Sequence, residues 1–204
     1  GAEGWYLHAD LGANILPDTD ATLEFSGLGS GDTEFEFDPG VRFNFGVGYR
    51  FTEDWSAGFE TGFLSNPVDR VGGVSFSDIE VDFVQLPFLG VVTYEYHNDT
   101  PFTPYISGGA GFVVGILQAY DDDYFYYYDD DDDDLYDYES DASAAFAYQL
   151  GAGVDYAITD RMALGLSYKF LGTTDQEFDD DFIGSVEMDG AMNHMVALTF
   201  RVRF

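Results

Sequence analysis

Between Val41 and Phe51 the chain alternates without exception. Val41, Phe43, Phe45, Val47, Tyr49 and Phe51 are large and apolar, while Arg42, Asn44, Gly46, Gly48 and Arg50 between them are small or polar. A period of two marks a β-strand with two unlike faces. Similar alternation covers residues 5–14, 55–64, 84–96, 102–116, 144–158, 162–171 and 192–204. This predicts eight strands of about ten residues each. The connections alternate too. Residues 52–54, 97–101 and 159–161 form tight turns, whereas residues 15–40, 65–78, 117–143 and 172–191 form long loops.

Residue size decides which face is inside. A soluble barrel of lipocalin type would turn its apolar face inward. Eight strands, however, enclose an interior only just wide enough for side chains. The face carrying glycine, alanine, serine and a few charges therefore belongs inside, and the bulky face meets lipid. The prediction is all-β: a closed antiparallel eight-stranded transmembrane barrel in the bacterial outer membrane, with short periplasmic turns and long extracellular loops. The last strand, ending at Phe204, should zip to the first, because an unpaired edge is not tolerated in hydrocarbon. Five cations (Arg42, Arg50, Lys169, Arg201, Arg203) and four acids (Asp10, Glu60, Glu95, Asp155) fall on the inward parity. Buried charges must be paired, so the expected lumen is filled and salt-bridged, not a water channel. Trp5, Phe51, Trp55, Tyr96, Tyr156 and Phe204 sit at the short-turn ends, where an aromatic girdle belongs.

One domain, residues 1–204, accommodates all of this. The formal charge is -32, from 39 acids and 7 lysines and arginines, which argues against a nucleic-acid partner. An aromatic content of 18% argues against disorder as the reason for that charge. There is no cysteine, hence no thiol chemistry. No apolar run is long enough for a transmembrane helix. Gly1-Ala2-Glu3 reads as a mature N-terminus.

Two places depart from the pattern. Ile79, Val81 and Phe83 have the reverse parity of Val84 onward, with Glu80 and Asp82 between them. Either a bulge shifts the strand, or this part stands above the membrane, where outward means water; the second account is favoured. Residues 22–26 and 33–37, around the glycine-rich 27–32, read as a hairpin extending the barrel in the same way.

The third long loop carries Asp121, Asp122 and Asp123, the aromatics Tyr124, Phe125, Tyr126, Tyr127 and Tyr128, and then Asp129, Asp130, Asp131, Asp132, Asp133 and Asp134. Such a run is either a solvated loop or a site for calcium or another divalent cation, which takes several carboxylate oxygens. EF-hand spacing is not met. Tyrosine offers large contact area at low entropic cost, so a surface partner or a neighbouring copy is a candidate. Residues 175–181 form a second acidic cluster. Acidic loops would repel anionic lipopolysaccharide unless cations bridge them. His8 and His194 read as structural, and Glu60 with Glu95 as partners for arginines in preference to a catalytic dyad.

Several stretches carry a resemblance: residues 104–111, 149–156, 164–170 and the terminal 198–204. The chain resembles the eight-stranded outer-membrane barrels of the OmpA/OmpX and opacity-protein type. In that family the final phenylalanine and its alternating approach resemble the signal read by the barrel-assembly machinery. The resemblance implies fold and place, not activity. The resulting expectation is a non-enzymatic surface protein in contact with outer-membrane lipid and lipopolysaccharide. Its acidic, tyrosine-rich loops would serve adhesion, partner binding or lattice contacts. A narrow pore, an outer-membrane enzyme and a soluble ligand-binding barrel are the alternatives.

Overall fold

The computed structural model describes residues 3–25, 29–75, 79–121, 141–180 and 184–204. The strands are β1 (Gly4–Ile15), β2 (Thr19–Phe25), β3 (Gly29–Phe37), β4 (Gly40–Arg50), β5 (Trp55–Val71), β6 (Val74–Ser75), β7 (Ile79–Glu95), β8 (Phe102–Asp121), β9 (Asp141–Ala157), β10 (Met162–Thr173), β11 (Gln176–Asp180), β12 (Gly184–Met188) and β13 (Met192–Arg203). Eight of them, β1, β4, β5, β7, β8, β9, β10 and β13, pair antiparallel in that cyclic order. β13 returns to β1, with Leu11 opposite Leu198, and closes the barrel. Closure leaves no unpaired edge at membrane depth.

The two faces separate as the alternation predicts. Leu11, Phe45, Leu166 and Leu198 are exposed on the perimeter, while Asp10, Asn44, Ser167 and Thr199 are buried. Two of the tight turns share one device. The Thr52 hydroxyl accepts hydrogen bonds from the backbone N–H groups of Asp54 (3.3 Å) and Trp55 (3.0 Å). Thr159 accepts from Arg161 (3.2 Å) and Met162 (3.0 Å) in the same way. A threonine followed by an acid therefore closes the chain back on itself before each aromatic or apolar restart.

The long connections are not simply loops. β2 and β3 form the expected hairpin, with Thr19 opposite Phe35. β11 and β12 form another, and β12 pairs with β2, Val186 opposite Leu23. β3 joins the upper end of β5. β11 lies against β9, where Glu177 N–H donates to the Ser143 hydroxyl (3.2 Å). Beside it, Thr174 N–H donates to the Phe146 carbonyl (2.9 Å). The strands β5, β7, β8, β9, β11, β12, β2 and β3 thus wall an upper storey above the membrane barrel. At its rim, Gly72 (φ 59°) and Gly73 (φ 77°) make the two-residue turn from β5 into β6; two consecutive positive φ values favour glycine there.

Polarity inverts between the storeys. The interior of the upper one is apolar: Leu16, Ala21, Phe35, Val68, Phe83, Met188 and Ala191 are buried together. This accounts for the reversed parity before Val84. The β7–β8 ladder runs unshifted from Ile79 opposite Asp121 to Glu95 opposite Tyr105, so no bulge intervenes. Phe83 simply continues the inward face, which here is greasy because the surroundings outside are water rather than lipid. Burying each such side chain contributes roughly 1.5–3 kcal/mol. A bulge does occur in β5. Phe37 pairs with Val68 and Glu36 with Arg70, leaving Asp69 extra. One surplus residue lets Val68 and Val71, three apart, both pack against the storey's core.

Candidate functional site

The lumen is built in tiers. At the periplasmic end Glu95 is the hub, accepting from Arg50, from Arg201 and, at 3.4 Å, from Arg203. Arg201 also pairs with Asp155 at 3.1 Å. Its guanidinium lies between two rings, 5.3 Å from the centre of Tyr6 and 5.1 Å from that of Tyr105, a stacked cation–π arrangement. These tyrosines fit because they lie over glycines. A Cβ on Gly48 would come within 2.3 Å of the Tyr6 ring, and one on Gly153 within 2.6 Å of the Tyr105 ring.

One tier higher, the Lys169 ammonium donates to Asp10 (2.8 Å) and Glu60 (3.0 Å). His8 Nε2 is 3.2 Å from Glu60, too far off line to count as a hydrogen bond. Gln149 Nε2 donates to the same carboxylate at 3.0 Å. The space between this group and Tyr105 and Arg201 measures about 10 Å³, near the volume needed for one water.

Arg42 differs from the sequence expectation. It is buried, yet no carboxylate pairs with it among the described residues. Its guanidinium reaches Gln149 Oε1 at 3.4 Å and lies against the Met195 sulfur. The reason is its tier. Leu64, Leu89, Val91, Val113, Ala147, Leu171 and Met195 form an apolar layer across the lumen at this level. The interior is therefore not composed of small and paired ionic groups alone. Above that layer, Asn14, Asn66, Gln85 and Asn193 make a fully buried amide tier. Asn14 Nδ2 donates to Asn193 Oδ1 (2.8 Å), and Gln85 and Asn193 exchange bonds at 3.1 Å. The apolar core of the upper storey caps the stack.

The remaining candidates separate. Glu60 and Glu95 belong to different tiers, each occupied by cations, and form no dyad. His194 stands on the outer face, 2.8 Å from the Tyr168 hydroxyl. Asp121 ends β8. Asp122, Asp123, Asp129, Asp130, Asp131, Asp132, Asp133 and Asp134 lie outside the described residues, as do Tyr124 to Tyr128. Among the described residues no group of three or more His, Cys, Asp or Glu is placed to hold a metal ion. Apart from Arg70, paired with Glu36 at 3.3 Å, the long connections contain no lysine or arginine. Among the described residues the upper storey therefore presents a predominantly acidic exterior, with Asp20, Asp32, Glu34, Asp69 and Glu187 exposed and Arg70 the one exposed arginine.

Sequence reasoning missed Tyr6, Tyr105, Gln149 and the apolar and amide tiers. Parity alone places Leu89 and Val91 inside, because they share a face with Thr93 and Glu95. Nothing in the sequence brings Asn14, Asn66, Gln85 and Asn193 to one height.

A closed barrel of alternating strands, bulky side chains outside and paired charges within, is an outer-membrane protein. The chain belongs to the outer membrane protein beta-barrel domain family, which it matches over residues 2–204. An uncharacterized protein of Brucella abortus (strain 2308) is 26% identical over 82% of this chain and 67% of its own length. Outer membrane protein PagN of Salmonella typhimurium is 32% identical over a shorter stretch, 38% of this chain and 30% of PagN. Among solved structures, the fold is similar to Neisserial surface protein A (TM-score 0.57, 15% identity, 98% of this chain and 97% of that one). It is also similar to OprG of Pseudomonas aeruginosa (TM-score 0.58, 17% identity, 98% and 97%). At these identities the structures bear on fold alone. The protein sits in the outer membrane, its bulky face in lipid.

Proposed function

We propose that the barrel is a non-enzymatic anchor displaying an acidic contact surface outside the cell. The observation that carries this reading is the inverted upper storey: a β-walled platform with its own apolar core, standing on a plugged lumen. A pore would have no use for stacked apolar and amide tiers. An anchor gains from them, because both storeys are tied into one continuous set of strands. The tyrosine- and aspartate-rich residues 122–140 join the upper ends of β8 and β9, the tallest part of the wall. With hardly a cation on this exterior, contacts to anionic lipopolysaccharide or to a second copy would need bridging calcium or another divalent ion.

The test compares the protein in liposomes with a variant whose residues 122–140 are replaced by a Gly-Ser linker of equal length. Light scattering then reports vesicle clustering in calcium and in EDTA. Clustering that requires both the native segment and calcium is expected. Clustering unaffected by either change, or none under any condition, refutes the proposal. Conductance of the wild type well above background in a planar bilayer would favour the pore.

A further inference from the structure

The chain spends its few cations unevenly. Of its 7 lysines and arginines, Arg50, Arg161 and Arg203 all border one cavity of about 380 Å³ at the periplasmic mouth, where β1 and β13 close the barrel. Trp5 and Phe204, both well exposed members of the aromatic girdle, form its outer wall. Behind it, the guanidiniums of Arg50, Arg201 and Arg203 share the two carboxylates of Glu95 and Asp155, so the tier keeps one positive charge in excess. Arg161 adds a guanidinium that pairs with no carboxylate among the described residues. Glu3 and Asp160 also border the cavity. They are exposed to water and pair with none of the three arginines.

We infer that this cavity binds a phosphate ester, and that its source is the headgroup of an anionic phospholipid in the periplasmic leaflet. Guanidinium groups fit phosphate oxygens with paired, directed hydrogen bonds. The girdle aromatics set the depth, since tryptophan and its neighbours lie at headgroup level. A phosphate there would complete Arg161 and neutralise the excess behind it, with the acyl chains running down the bulky face of β1 and β13. This site lies at the opposite end of the barrel from the proposed contact surface and is independent of it.

Trp5 is itself the reporter. With the second tryptophan removed (Trp55→Phe), its fluorescence is titrated in neutral maltoside micelles. The three titrants are short-chain phosphatidylglycerol, inorganic phosphate and an uncharged short-chain diglyceride. A saturable response to phosphatidylglycerol is expected, with inorganic phosphate and the diglyceride each at least tenfold weaker. Arg161→Gln should weaken the lipid response by about fivefold, the loss of one charge-assisted contact. Arg161 takes part in the turn through its backbone, so this variant should fold as the wild type does. An unchanged response in Arg161→Gln, or no saturable response, overturns the site. Inorganic phosphate as effective as the lipid overturns the assignment to a headgroup, and an equally effective diglyceride overturns the role of phosphate.

Discussion

Replacing Glu95 by glutamine tests the lumen where it is most concentrated. Glutamine keeps the shape and can accept through its carbonyl oxygen, but it gives up the charge. Three guanidiniums then share one carboxylate fewer. Removing one partner of a buried ion pair costs about 3–5 kcal/mol, because the other charge stays behind uncompensated. Two features of this site moderate the figure. The side chains of Arg50 and Arg203 are 15% and 30% exposed, so water at the mouth can solvate them. Arg201 keeps Asp155 at 3.1 Å and its two aromatic neighbours. The expected loss is therefore at the low end, about 3 kcal/mol. Glu36→Gln is the control. Its partner Arg70 is half exposed, and such surface pairs contribute about 0–1 kcal/mol. Both variants are unfolded in urea from lipid vesicles and followed by tryptophan fluorescence. Arg203→Gln in the Glu95→Gln background should recover part of the loss, since it removes one stranded cation. If Glu95→Gln falls within about 1 kcal/mol of the Glu36→Gln control, the buried network is not what stabilises the lumen.

Two further substitutions probe the faces. Phe45→Lys places a charge on the lipid side midway along β4 and should cost about 2–4 kcal/mol in the same urea assay, whereas Thr22→Lys, on the upper storey's exterior, should be nearly neutral. Deleting Asp69 removes the bulge and leaves Val68 and Val71 two apart, so ordinary alternation should keep both turned into the apolar core and Arg70 outward. Amide exchange in β2, β3 and β12 should then stay as slow as in the wild type; faster exchange there, with the β1–β13 ladder still protected, would show that the surplus residue itself sets the upper storey's register.

Much of the membrane barrel was legible in advance because a lipid-facing strand must alternate. Val41 to Phe51 and Met162 to Leu171 state their faces residue by residue, and the threonine turns state their ends. The loops were less legible. Residues 172–191 look like an acidic connection, yet they contain β11 and β12, whose short strands gain meaning only when β12 finds β2 across the barrel. Arg42 shares the inward parity of the paired cations. Parity gives a side but not a height, and at its height the neighbours are Leu64, Leu89, Met195 and Gln149.

What the chain determined by itself is the direction each side chain takes, inward or outward, since that depends only on a two-residue period and on which residues tolerate lipid. What tertiary structure alone decided is who meets whom. Asn14, Asn66, Gln85 and Asn193 come from four strands, and the two hairpins complete the wall of the upper storey with their greasy faces turned in. Those meetings depend on stagger between strands far apart in sequence and on the level at which lipid gives way to water.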